Sequence, residues 1–73
     1  MQIIAQRLKE TRAKRGVTQA TIASAIGIQE VAYQRYEYGT RVPAAESLCK
    51  LADYFNISTD YLLGRTDNPK INK

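Results

Sequence analysis

Apolar side chains recur at three-to-four spacing from the start of the chain, with Ile4, Leu8 and Thr11 or Arg12 on one face, until Gly16 interrupts them. This predicts a first helix from about Gln2 to Arg15, with Lys14 and Arg15 in the last turn, where cations suit the helix dipole. Val17-Thr18 reads as an apolar residue before an N-cap threonine and opens a second helix, Gln19 to Ile26, that buries Ile22, Ala23 and Ile26 and stops at Gly27. Ile28 follows as an apolar plug, and a third helix is expected over about residues 29–38, closed by Gly39. After an extended loop over residues 40–43, Pro43 is placed at or next to the first turn of a fourth helix that reaches Phe55. Its apolar positions are Ala45, Leu48, Leu51, Ala52 and Phe55. Residues 56–58 break the pattern, residues 59–63 predict a short fifth helix, and Gly64 stops it.

The pattern contains no strand alternation and no repeat, so the expected fold class is all-α: a compact domain of five helices over residues 1–64. Residues 65–73 are polar, and Thr66-Asp67-Asn68-Pro69 favours a turn. They are expected to form a loosely ordered tail that only Ile71 could anchor, or the start of a linker. The two-residue connection between the second and third helices forces a sharp corner, a helix-turn-helix, whose outward second helix is free to enter a major groove. Ala23 stands at the close approach, Gly27 in the turn, Ile28 after it and Tyr33 on the inward face of the third helix.

Read in order, the chain resembles the lambda-repressor-like helix-turn-helix family, the Cro and repressor type of phage and bacterial transcription regulators. The resemblance runs from about Ile4 to Gly64 through Arg7-Leu8-Lys9-Glu10, Gly16-Val17-Thr18-Gln19, Ile22-Ala23, Ile26-Gly27-Ile28, Glu37, Gly39, Arg41, Pro43, Leu48-Cys49-Lys50-Leu51-Ala52 and Ile57-Ser58-Thr59-Asp60-Tyr61-Leu62-Leu63-Gly64. Tyr33, Tyr36 and Tyr38 depart from it, standing where the family has Ile or Val, Leu or Ile, and Asn; Thr11 stands where Leu is common. The resemblance implies sequence-specific binding of double-stranded DNA as a transcriptional regulator. A repressor acting as a homodimer on a palindromic operator is the form expected, and the cluster Tyr54, Phe55, Tyr61, Leu62 and Leu63 lies where relatives make a two-fold contact.

Carried over by position, the resemblance implies that Gln19 bonds a DNA phosphate, in keeping with the attraction of helix N-terminal amides for anions. Thr18 is an N-cap or a second phosphate contact. Gln29, Glu30, Val31, Gln34 and Arg35 lie away from Tyr33 and Tyr36 and are the candidates for base contacts. Arg35 suits guanine O6 and N7, Val31 a thymine methyl and Glu30 a cytosine N4. Each has a structural alternative: a phosphate contact or an ion pair with Glu30 or Glu37 for Arg35, inward packing for Val31, a helix-dipole role for Glu30 and a polar helix start for Gln29. Tyr38, Thr40 and Arg41 fall in the loop that this family lays along the sugar-phosphate backbone, Tyr38 with its hydroxyl on a phosphate or its ring under the loop. Arg12 and Glu37 match positions that form a buried ion pair in related phage repressors.

Charge supports this placement more by position than by total. Of eleven Lys and Arg against seven Asp and Glu, seven basic and three acidic residues precede Val42, and the rest balances. Lys9, Lys14 and Arg15 are expected to supply a general positive field. A single cysteine, Cys49, has no disulfide partner, which fits a reducing cytoplasm; no apolar run is long enough to span a bilayer, and no secretion signal is evident. With no histidine and no nucleophile, phosphate-loop or metal-ligand spacing, neither an enzyme nor a cofactor, metal or small-molecule substrate is expected. A protein-interaction adaptor that reuses the fold is the main rival; RNA binding lacks an exposed aromatic platform on the third helix.

Overall fold

The computed structural model describes residues 2–71, so Met1, Asn72 and Lys73, which the expected domain and tail boundaries include, lie outside the described residues. It consists of α1 (Gln2–Arg15), α2 (Gln19–Ile26), α3 (Glu30–Tyr38), α4 (Ala45–Phe55) and α5 (Thr59–Leu62), with no strand among the described residues. The all-α, five-helix expectation holds, and the boundaries differ only at the ends. Gln29 is the N-cap of α3 rather than its first residue, and Leu63 is the C-cap of α5. Pro43 precedes the N-cap Ala44, so it lies outside the first turn of α4.

Each end has a local cause. Thr18 is extended (φ −87°, ψ 160°), and its hydroxyl accepts from the Thr21 amide at 3.1 Å, supplying one of the partners that the first turn of a helix lacks. Gly27 closes α2 at φ 77°, where its own amide and that of Ile28 donate back to Ser24 and Ala23. A side chain bearing Cβ is strained in that conformation, so Gly27 is what allows α3 to start after only Ile28 and Gln29. Asn56 ends α4 at φ 56°, a conformation that asparagine tolerates better than most residues.

α1 packs against α3 and α5, α2 against α3 and α4, and α4 against α5. Their common core contains Ile4, Leu8, Ile22, Ala23, Ile26, Tyr33, Tyr36, Leu51, Ala52, Phe55, Ile57 and Leu62. Tyr33 and Tyr36 meet edge to face with ring centroids 6.4 Å apart, so the two rings fill space that aliphatic side chains occupy in the resembling family. Two expected core positions of α4 differ: Ala45 is exposed and Leu48 only partly buried, because the first turn of α4 overhangs the core that Leu51, Ala52 and Phe55 enter. Gly64 lets α1 approach the end of α5, since a Cβ there would stand 2.8 Å from Ile3 Cγ1.

The segment after Gly64 is held by polar bonds. The Thr66 carbonyl accepts from Arg7 Nη1 at 2.7 Å, and the Pro69 carbonyl from the Ser58 amide at 2.9 Å. Ile71, the expected anchor, is 42% exposed.

Candidate nucleic-acid interface

The interface is built outward from one buried carboxylate. Glu37 faces inward from the last turn of α3 with only 1% of its side chain exposed, and Arg12 of α1 meets it in a two-pronged pair, Nε to Oε2 at 2.6 Å and Nη2 to Oε1 at 3.2 Å. Arg12 Nη1 also donates to the Val17 carbonyl at 3.3 Å, which ties the turn before α2 to the same centre. Gln19 Nε2, at the start of α2, donates to Glu37 Oε1 at 3.1 Å. Three helices therefore converge on one acidic group.

Burial by itself would raise the Glu37 carboxyl pKa, but hydrogen bonds from Arg12 and Gln19, the nearby Tyr33 hydroxyl and the charge of Arg12 outweigh it and hold it below the ordinary value. The Tyr33 hydroxyl is fully buried and makes no hydrogen bond of ordinary geometry. Burial first, and the Glu37 carboxylate second, push its pKa above that of a free phenol.

The opposite side of α3 is open. Val31 and Arg35 are exposed and Gln34 partly so, and these three lie on the face turned away from Tyr33, Tyr36 and Glu37; Gln29 and Glu30 share the inward stripe by helical period and are exposed because they stand at the start of α3, Gln29 as its N-cap. Val31 is 53% exposed, which excludes the inward packing considered for it. Glu30 stands in the first turn of α3, where a carboxylate suits the dipole, and accepts a long bond of 3.4 Å from Gln34 Nε2. Arg35 pairs with neither Glu30 nor Glu37, and no ion pair of Arg35 occurs among the described residues.

Beyond α3 the backbone and the Thr40 hydroxyl are fixed, while the side chains of Tyr38 and Arg41 are exposed. The Arg35 carbonyl accepts from the amides of Thr40 and Arg41, at 3.1 and 3.3 Å, and from Thr40 Oγ1 at 3.4 Å. This hooks the loop onto the last turn and leaves the Arg41 side chain in solvent. The Tyr38 ring is 63% exposed and so does not pack under the loop. Thr18 is engaged as a cap, its hydroxyl also 2.8 Å from that of Thr21, and the first backbone amides of α2, beginning at Gln19, point out of the helix end without intrahelical partners.

Besides Arg12, two of the seven basic residues that precede Val42 are structural, and one of them, Arg15, was expected to supply general field. Arg7 donates through Nη1 to the carbonyls of Tyr61 (3.0 Å) and Thr66, pairs through Nη2 with Asp67 Oδ1 at 2.7 Å, and lies 4.0 Å over the Tyr61 ring. Arg15 donates through Nη2 to the Phe55 carbonyl at the C-terminal end of α4, a role closer to a helix cap than to a general field. The signal for Arg7 was its position, one turn from Ile4 and from Thr11 at the edge of the inward stripe of α1; its partners, more than fifty residues away, carried none. Of the C-terminal cluster, Phe55 and Leu62 are wholly core, while Tyr54, Tyr61 and Leu63 are partly exposed at its edge.

The chain is similar to known proteins in sequence and in fold. The sequence model of the helix-turn-helix family matches residues 8–62. The chain is 40% identical over 70 residues to the HTH-type transcriptional regulator ImmR of Bacillus subtilis, covering 96% of this chain and 55% of that protein. It is 44% identical over 62 residues to the cryptic phage CTXphi transcriptional repressor RstR of Vibrio cholerae, covering 85% of this chain and 55% of that one. The chain thus spans about half the length of the curated relatives it matches. Among solved structures, the P22 c2 repressor in complex with a synthetic operator superposes with a TM-score of 0.79 at 29% identity, over 85% of this chain and 94% of that one. The solution structure of the P22 c2 DNA-binding domain superposes at 0.81, also at 29% identity, over 94% and 90%.

Proposed function

The chain belongs to the helix-turn-helix family, in its lambda-repressor-like branch, and from that premise we propose that it binds a specific double-stranded DNA sequence and regulates transcription there as a repressor. The observation that carries this reading is the contrast across α3: one side is locked by Glu37 and the core, the other presents Val31, Gln34 and Arg35, with Gln29 and Glu30 exposed at the helix start. A rigid helix with an uncommitted arginine and an exposed valine is suited to bond guanine and to pack on a thymine methyl. The helix end at Thr18 and Gln19, with Tyr38, Thr40 and Arg41 on the following loop, would straddle the groove and take phosphates, which set register while α3 reads bases.

Two copies on a palindromic operator follow from the same geometry. One copy reads only a few base pairs, and a two-fold pair places the α3 helices about 34 Å apart, one DNA turn. The edge formed by Tyr54, Tyr61 and Leu63 is the proposed contact between copies. A domain of this size reaches little beyond its site and acts most simply by blocking polymerase in the cytoplasm. The DNA-binding unit proposed is residues 1–64.

Selection of bound sites from random duplex DNA at near-physiological salt tests the reading. The expected result is a palindromic consensus that loses one defined base preference with Arg35→Ala. Failure to enrich any site would favour an adaptor role for the same fold.

A further inference from the structure

We propose that the side chain of Gln19 acts chiefly by positioning the reading face of α3 through Glu37, and only secondarily as a ligand of DNA phosphate; this rests on the reading of α3 as the DNA-contacting helix. At the turn, α2 and α3 are held by backbone: the Gly27 and Ile28 amides close α2, and only Ile28 and Gln29 separate the helices. At the far end, where α2 begins and α3 finishes, no backbone hydrogen bond joins them among the described residues. The separation there is set by side chains, and Gln19 Nε2 to Glu37 Oε1 is the one side-chain hydrogen bond between α2 and α3 among the described residues. Glu37 is in turn anchored to α1 by Arg12, so Gln19 connects α2 to a fixed point.

The donor inventory commits one N–H inward and leaves one for a phosphate. A glutamine amide has two N–H donors and one acceptor oxygen, and the oxygen cannot bond a phosphate anion. One N–H is already committed to a buried carboxylate that shares its Oε1 with Arg12 Nη2. Drawing Gln19 outward would leave that buried acceptor short of a donor, whereas the Gln19 backbone amide at the helix end can meet a phosphate without disturbing it. The side chain therefore stays on Glu37, and the angle at which α3 enters the groove depends on it.

The two roles differ in what they predict. A lost phosphate contact weakens all duplexes alike and, because glutamine is neutral and displaces no counterion, leaves the log–log salt slope as it was. A lost positioning contact weakens the specific duplex and leaves the slope and the unspecific affinity as they were. The wild-type chain would first select its duplex from random DNA. That duplex and a scrambled one then serve as probes for Gln19→Ala and the similarly sized Gln19→Met.

The expected result for both variants is a loss of about tenfold on the selected duplex, the scale of a lost hydrogen bond to a charged group, with the scrambled duplex and both slopes unchanged. Equal losses on both duplexes, or no loss at all, would overturn the proposal. A readout without DNA separates the two readings: carbon-detected NMR titration of the Glu37 carboxyl should move to higher pH in both variants, because a donor to the charged form has been removed. An unmoved titration would remove Gln19 from the network even if DNA binding is altered. Failure to select any duplex, with the Glu37 titration shifted as expected, would count against DNA reading itself while leaving the α2–α3 clamp standing.

Discussion

The inner and outer sides of α3 carry the same kinds of residue and do opposite work with them. Inside, Glu37 is met by Arg12 and Gln19 at 2.6 to 3.2 Å, and every partner comes from another helix. Outside, Glu30, Gln34 and Arg35 form one long bond of 3.4 Å among themselves and otherwise stand in solvent. A charged or amide group with its bonds already made in a dry setting holds the molecule together; one with its bonds unmade is available to a partner. Arg7 and Arg15 extend the lesson, since both belong with the inner set although both raise the positive charge of the N-terminal half.

The largest break in this comparison should come from Arg12→Ala. It strands a carboxylate whose side chain is 1% exposed, and urea unfolding should show a loss of about 3 kcal/mol, the lower end for one partner removed from a buried pair because Arg12 itself is partly solvated. The same pair sets an acid limit. Because the Glu37 pKa is lowered in the folded state, its contribution is fully present above the ordinary carboxyl value of 4.5 and is lost as pH falls through the lower folded value. Thermal unfolding followed from pH 7 downward should therefore show a drop below pH 4.5 that Glu37→Gln, lower in stability throughout, shows to a smaller degree.

Arg7→Ala comes next. It removes donors to two backbone carbonyls and the cation over Tyr61, for an expected cost of about 1 to 2 kcal/mol, with faster amide exchange in residues 65–69 as the more specific sign. Arg35→Ala should be the smallest in stability, within about 0.5 kcal/mol, because the side chain has no fixed partner. If Arg35→Ala proved as destabilising as Arg7→Ala, the division between the two sides of α3 would be wrong.

Most of the fold was legible in the sequence because its signals are local. Apolar spacing located all five helices, and Thr18, Gly27, Gly39 and Gly64 marked ends through capping and left-handed backbone preferences that act within a few residues. The fourth helix was less legible: the periodicity of Ala45 and Leu48 matches that of Leu51 and Ala52, and only the overhang of its first turn decides that Ala45 is exposed. For the interface, the helical period separated an outward face from Tyr33 and Tyr36, and the Arg12–Glu37 pair was anticipated by resemblance. The commitment of Gln19 to Glu37 and of Arg7 to the C-terminal segment was not visible.

What the sequence determined by itself, then, was where helices start and stop, which stripe of each is apolar and where the corner falls, since these depend on backbone sterics and side-chain spacing along one element. The tertiary structure alone decided which polar groups are consumed inside. Arg7 meets Asp67 across sixty positions and Arg15 meets Phe55 across forty. Whether an arginine ends on a carbonyl or in solvent depends on how separate helices pack, and in this chain that packing leaves Arg35 and Arg41 outside while Arg7 and Arg12 are drawn in.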